Sequence, residues 1–141
     1  MAQLCDVAQY IRNRYFSLTK IKLQKILYYA QAWTLAWDNR SLFEDDFYAW
    51  DYGPLLVDFN NSLPENDGLV VPEIEGADIS RLAESDIENI NIVLDTYGDK
   101  DTEWLVDLTH REDPWKNTRM HNIIEKAVIQ TYYKSLCHES A

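Results

Sequence analysis

No P-loop, dinucleotide fingerprint, G-x-S-x-G or H-E-x-x-H occurs in this chain. Their absence removes the commonest signatures of phosphate, nucleotide, serine-hydrolase and zinc-peptidase chemistry. Cysteine is scarce: Cys5 and Cys137 form no motif and read as free thiols, and Cys5 has no neighbouring base to make it a nucleophile. Met1 to Tyr15 has no continuous apolar run of the secretory kind, so a cytoplasmic protein is expected. Repeats, low-complexity tracts and long linkers are missing, and 141 residues suit one domain over 1–141. Apolar residues make up 46% of the chain, which is enough for a packed core and argues against wholesale disorder.

Positive charge is also short. The formal net charge is -11, and it is unevenly spread. Residues 1–37 carry five bases against one acid, residues 38–64 one base against six acids, residues 65–103 two bases against twelve acids, and residues 104–141 five of each. Nucleic-acid binding rests on cationic side chains, so a direct DNA or RNA partner is not expected. The acidic middle reads first as a solvated face and second as a means of steering toward a basic partner.

What the chain does have is a long apolar stretch, Leu18 to Trp37. From Ile26 to Trp37 its only polar residues are Gln31 and Thr34. A helix apolar on all sides is buried on all sides, and this run is too short and interrupted to span a bilayer. It is therefore expected to be the central helix, capped by Thr19, with Leu18 and Leu23 placed as a hydrophobic staple. The fold class expected is mostly α: one compact domain of about six helices around this helix, with a small β element near Phe47–Tyr52.

The other expected elements follow from spacing and punctuation. Leu4, Val7, Ala8, Ile11 and Tyr15 mark a first helix reaching Phe16. Gly53-Pro54 is expected to end the strand and open a helix over Leu55 to Leu63. Pro64 to Ala77 reads as loop, with a short strand open at Leu69-Val70-Val71. Ser85 and Glu88 fit a capping box for a helix closed by Gly98. Asp101 or Thr102 starts a short helix to about Thr109, and Asp113-Pro114 reads as cap and first residue of another. Asn122 and Glu125 are placed to cap a last helix whose face is Ile123, Ile124, Ala127, Val128, Thr131 and Tyr132.

Lys22-Leu23-Gln24-Lys25-Ile26-Leu27-Tyr28-Tyr29-Ala30-Gln31 resembles the signature "kLQKLLYyaq" of the Panacea domain, the SocA-like antitoxin domain. Leu42-Phe43-Glu44, Ala49-Trp50 and Gly53-Pro54 are similar to its "plF … aW … GPV". Leu108-Thr109-His110 with Pro114-Trp115 resembles "LTH … PW", and Ile123 to Tyr132-Tyr133 its "I…YY" tail. The resemblance implies a mostly helical fold with a small β element and a prokaryotic or phage source. It also implies an antitoxin that binds a co-encoded toxin and performs no chemistry itself. The family's members are paired with toxins of unrelated classes; related proteins present toxins to a protease, and others are known only as phage-associated.

Leu23, Leu27, Gly53, Pro54, Thr109, Pro114 and Trp115 read as structural parts of that signature. Gln24, Lys25, Tyr28, Tyr29, Trp50 and His110 are expected either to line a shared partner-binding groove or to form a buried polar network holding the strand against the central helix. No enzyme activity, metal or cofactor is expected. His110 with Glu112 and Asp113 is a partial metal set at most, Asp45-Asp46 reads as a solvated loop, and a hydrolase built on His110 and Asp113 is the remotest reading. A protein partner is expected, in the first instance a co-encoded toxin. A proteolytic adaptor or phage accessory protein that binds a host factor is the alternative.

Overall fold

Ten consecutive side chains of the central helix, Leu23 to Ala32, are buried. In the computed structural model, which describes residues 1–64 and 70–139 (side chains to residue 137), this helix is α2, Lys20–Asp38. Thr19 caps it as expected, its Oγ1 accepting the Lys22 amide at 3.2 Å. Asn39 ends it in the left-handed conformation, φ 57°. Against α2 pack α1 (Leu4–Arg12), α4 (Glu84–Tyr97), α5 (Thr102–Arg111) and α7 (Lys126–Glu139); α3 (Val57–Ser62) lies between α2 and α4 in the chain, and α6 (Asp113–Lys116) packs on α5 and α7. A two-stranded hairpin, β1 (Tyr48–Trp50) and β2 (Gly53–Leu55), and one 3-10 turn at Ile79–Arg81 complete the set among the described residues. The mostly α architecture is the one read from the sequence, with seven α-helices among the described residues in place of about six.

Several boundaries differ, each for a physical reason. The first helix stops at Arg12, four residues early, because Tyr15 leaves it to donate to the Gly98 carbonyl at 3.1 Å. Gly53-Pro54 does not break the strand and open a helix; the pair begins β2, with Ala49 opposite Pro54 and Trp50 opposite Gly53. Proline is tolerated there because the Ala49 backbone looks the other way. Its N–H donates to Asn122 O at 2.9 Å and its C=O accepts from His121 N at 2.7 Å. The segment 121–124 thus lies along the second edge of β1, with a bridge from Tyr48 to Ile123. Asn122 therefore sits at a bend beside β1, four residues ahead of α7, which starts at Lys126.

The capping box at Ser85 and Glu88 does not form, since Ala83 occupies the N-cap and Ser85 lies inside the first turn of α4. Gly98 does sit at the C-cap, in a right-handed conformation; a Cβ there would lie 2.9 Å from the Tyr15 hydroxyl. Asp101 caps α5 through the Trp104 amide at 2.8 Å. In α6 Asp113 is the first helical residue and Pro114 the second, because Glu112 takes the cap position and sends its side chain into the core. Val70 and Val71 form no strand, and Leu69 lies outside the described residues.

The face of α7 is also rotated from the one expected. Ile129 and Tyr133 are buried against α2, while Ala127, Val128 and Thr131 face out. Tyr133 decides this, because its hydroxyl is drawn to Glu112 in the core at 2.8 Å.

Candidate functional site

The separated motifs meet at one junction between α2, the hairpin and α5–α6. Gln24 reaches from α2 to the end of β2, accepting the Leu56 amide at 2.8 Å and donating to the Leu56 carbonyl at 3.3 Å. One residue on, Lys25 donates from Nζ to the Pro54 carbonyl at 3.0 Å. Lys25 is buried, and burial lowers its ammonium from 10.5 to about 7. Gly53, at φ 106°, is what lets these parts approach. A Cβ there would lie 2.6 Å from Thr109 Oγ1 and 2.8 Å from Lys25 Cε.

Deeper in the core the aromatic residues of α2 surround a carboxylate. Glu112 Oε1 accepts from the Tyr29 hydroxyl at 2.6 Å and the Tyr133 hydroxyl at 2.8 Å; the Tyr28 hydroxyl lies 3.2 Å from that of Tyr133. Burial raises the carboxyl of Glu112, opposed by the two tyrosine bonds, and burial raises all three phenols. Tyr29 also stacks on Tyr97, with centroids 4.1 Å apart.

The outer side of the junction is a continuous aromatic and histidine face. The His110 ring stacks on Trp115 at 4.0 Å, and Trp115 Nε1 donates to the Trp50 carbonyl at 2.8 Å. The Trp50 ring meets His121 at 4.3 Å. Tyr52, at the hairpin turn, is 63% exposed, and His121 is exposed at φ 72°. His110 Nε2 is buried and has no hydrogen-bond partner among the described residues.

This arrangement divides the six residues read as a partner-binding groove. Gln24, Lys25, Tyr28 and Tyr29 do not line one: each is at most 1% exposed, and their polar atoms are turned to backbone or to the Glu112 cluster. They form the buried network that was the other reading, because the α2 face bearing them is covered by the hairpin, α5 and α7. Only Trp50 and His110 reach the surface, each in part. The motif residues Leu23, Leu27, Gly53, Pro54, Thr109 and Pro114 are buried, and Trp115 is half-buried. The partial metal set is split, with Glu112 on two tyrosines and His110 on Trp115. Among the described residues no group of three or more histidine, cysteine or acidic side chains is arranged to hold a metal ion. Among the same residues, no helix is long and apolar enough to cross a membrane.

Sequence reading missed Tyr52 and His121, and it placed Glu112 in a partial metal set where the structure puts it on two tyrosine hydroxyls. Tyr52 becomes visible once Asp51-Tyr52 is recognised as a two-residue hairpin turn. His121 carries no local signal, because the Trp50 ring it meets belongs to a distant part of the chain.

The fold and the junction define a small helical domain whose sequence motifs lock a hairpin onto a buried helix and leave an aromatic face outside. The chain belongs to the family described as antitoxin SocA-like, Panacea domain, whose profile matches residues 23–116. That range holds the junction residues from Leu23 to Trp115, and it excludes α1, His121 and the α7 residue Tyr133. No curated protein and no solved structure matches the chain.

Proposed function

We propose that this protein is an antitoxin that neutralises a co-encoded toxin by binding it directly in the cytoplasm, with no catalytic chemistry of its own. The observation that carries the reading is membership of the SocA-like antitoxin family over residues 23–116. The surface offered for the toxin is the face of Trp50, Tyr52, His110, Trp115 and His121. Tryptophan and tyrosine are the residue types that dominate interface energies. Trp50 and Tyr52 sit on a hairpin that Gln24 and Lys25 fasten to the core, and Trp115 is tied to it through the Trp50 carbonyl, so little ordering is left for binding.

Co-expression with the product of the adjacent gene tests the reading. The neighbour is expected to arrest growth alone, to be harmless beside this protein, and to co-purify with it. A neighbour that is harmless alone, or that never co-purifies, removes the proposal. Tyr52→Ala with His121→Ala changes only exposed side chains. The pair is expected to weaken the complex by about 30-fold, the effect of losing one hot spot, with the melting temperature unchanged. If toxin levels fall with this protein and recover in a protease-deficient host, delivery to a protease replaces simple occlusion.

A further inference from the structure

We infer that a second surface, a cleft between α2 and α4 on the acidic side of the molecule, docks a cationic segment of a protein partner by seating one lysine or arginine side chain. The cleft has a volume of about 130 Å³ and is lined by Trp33, Trp37, Ile92, Val93, Thr96 and Tyr97. That volume is the share of roughly four waters, at ~30 Å³ each, which is room for one unbranched side-chain stem. Its floor is held in place. Trp33 Nε1 donates to the Tyr97 hydroxyl at 2.9 Å, and Tyr97 stacks on buried Tyr29. Its mouth is open, with Trp37 37% and Ile92 49% exposed.

Three features select the occupant. The Trp33 and Trp37 rings stack at 5.4 Å, presenting an aromatic surface of the kind that attracts ammonium and guanidinium groups. Glu88 and Asp95, four residues before and three after Ile92, share its helix face and are exposed. Asp38 follows Trp37 at the other lip. Across all of α4 there are four acids and no base. Arg40 takes up Asp86 at 2.6 Å and Asp38 at 3.3 Å, and Arg14 lies 3.8 Å from exposed Asp95, so Glu88 is the lip carboxylate that has no ion pair among the described residues.

A lysine or arginine fits this site at both ends, laying its aliphatic stem over Ile92 and Trp37 and its charge among the acids. A purely aliphatic side chain would cover Glu88 without pairing it, and an acidic segment or a nucleic acid is repelled by the four acids of α4. The cleft is built from α2 and α4, whereas the aromatic face is built from the hairpin, α5–α6 and the segment at His121, and the inference does not depend on the antitoxin reading.

The five tryptophans provide the test. In the full ¹⁵N-labelled chain at low salt, a synthetic helical peptide of Lys, Leu and Ala is expected to shift the indole signals of Trp33 and Trp37 saturably. The signals of Trp50, Trp104 and Trp115 are expected to stay in place. The same peptide with Glu for Lys is expected to shift none. Ile92→Lys, at an exposed position, places a cation in the mouth and is expected to weaken binding roughly tenfold or more. Asp45→Asn with Asp58→Asn, remote acids on a different groove, are expected to leave it within about twofold. The inference is overturned by no saturable shift, by equal shifts at all five indoles, or by an Ile92→Lys variant that binds as well as the parent. It is also overturned if Trp33 and Trp37 shift on concentrating the protein alone, which would put a second copy in the cleft.

Discussion

Lys25 shows how a charged residue can serve the interior of a helix. Its stem passes beside Gly53, and its ammonium bonds one backbone carbonyl. No carboxylate pairs with it among the described residues. Burial therefore dominates and lowers the group to about 7, against 10.5 when unfolded. Between those values the unfolded chain binds the proton and the folded chain does not. Stability contributed by this residue thus rises with pH from about 7 to 10, by up to ~1.4 kcal/mol per pH unit. Lys25→Met removes the titrating group at similar length. Relative to the parent, the variant is expected to be most favoured at pH 6 and to lose that advantage by pH 9.5. Urea unfolding at three pH values measures it, and a constant difference would contradict the account. Glu112 has the opposite sign, its raised carboxyl contributing stability that is lost as pH rises through its folded value, and it cancels between variant and parent.

At the scale of the element, α2 is both core and clamp. Gln24 and Gln31 lie two turns apart on one side of the helix, and each grips a passing segment by its backbone. Gln31 accepts the Leu42 amide at 2.7 Å and donates to the Phe43 carbonyl at 2.8 Å, as Gln24 does with Leu56. Gln31→Leu keeps the helix apolar and takes the partner from three buried backbone groups, the amides of Leu42 and Phe43 and the Phe43 carbonyl. It is expected to cost about 1–3 kcal/mol for each group left unpaired. Chemical denaturation gives that value, and faster exchange of the Leu42 amide would locate it. The burial of α2 was legible because composition alone leaves it no wet face. The face of α7 was not. Its sequence offers one stripe through Val128 and Tyr132 and another through Ile129 and Tyr133, and periodicity does not rank them. The hairpin was half legible: an aromatic strand ending in Gly-Pro suggested a stop, and only the backbone bonds of 121–122 to Ala49 made room for Pro54 in β2.

The whole molecule is larger than its family motif. The matched residues end at Lys116, yet α7 supplies Ile129 and Tyr133 to the core and one of the two hydroxyls on Glu112. Truncation after Asn122 would uncover α2 and strip a bond from a buried carboxylate. The shortened chain is expected to lose cooperative thermal unfolding and to bind a hydrophobic dye, as loosely packed states do. A sharp transition near that of the full chain would mean that residues 1–122 fold alone. Charge is also organised at this scale. The acidic stretch 65–103 contributes α4, the wall of the aromatic cleft, while the junction draws its residues from segments with other charge balances.

By itself the sequence determined the helical class, the buried central helix with its Thr19 cap, and the motifs that name the family. These follow from local patterning and composition, which need no partner in space. Tertiary structure alone decided which motif residues are walls and which are surface. Gln24, Lys25, Tyr28 and Tyr29 are buried because the hairpin, α5 and α7 close over them; Trp50 and His110 keep an outer edge because no described segment closes over the junction there. A polar or aromatic side chain has no intrinsic side of the protein. Its exposure is set by which distant segment arrives to satisfy it, and that arrival depends on all the packing at once.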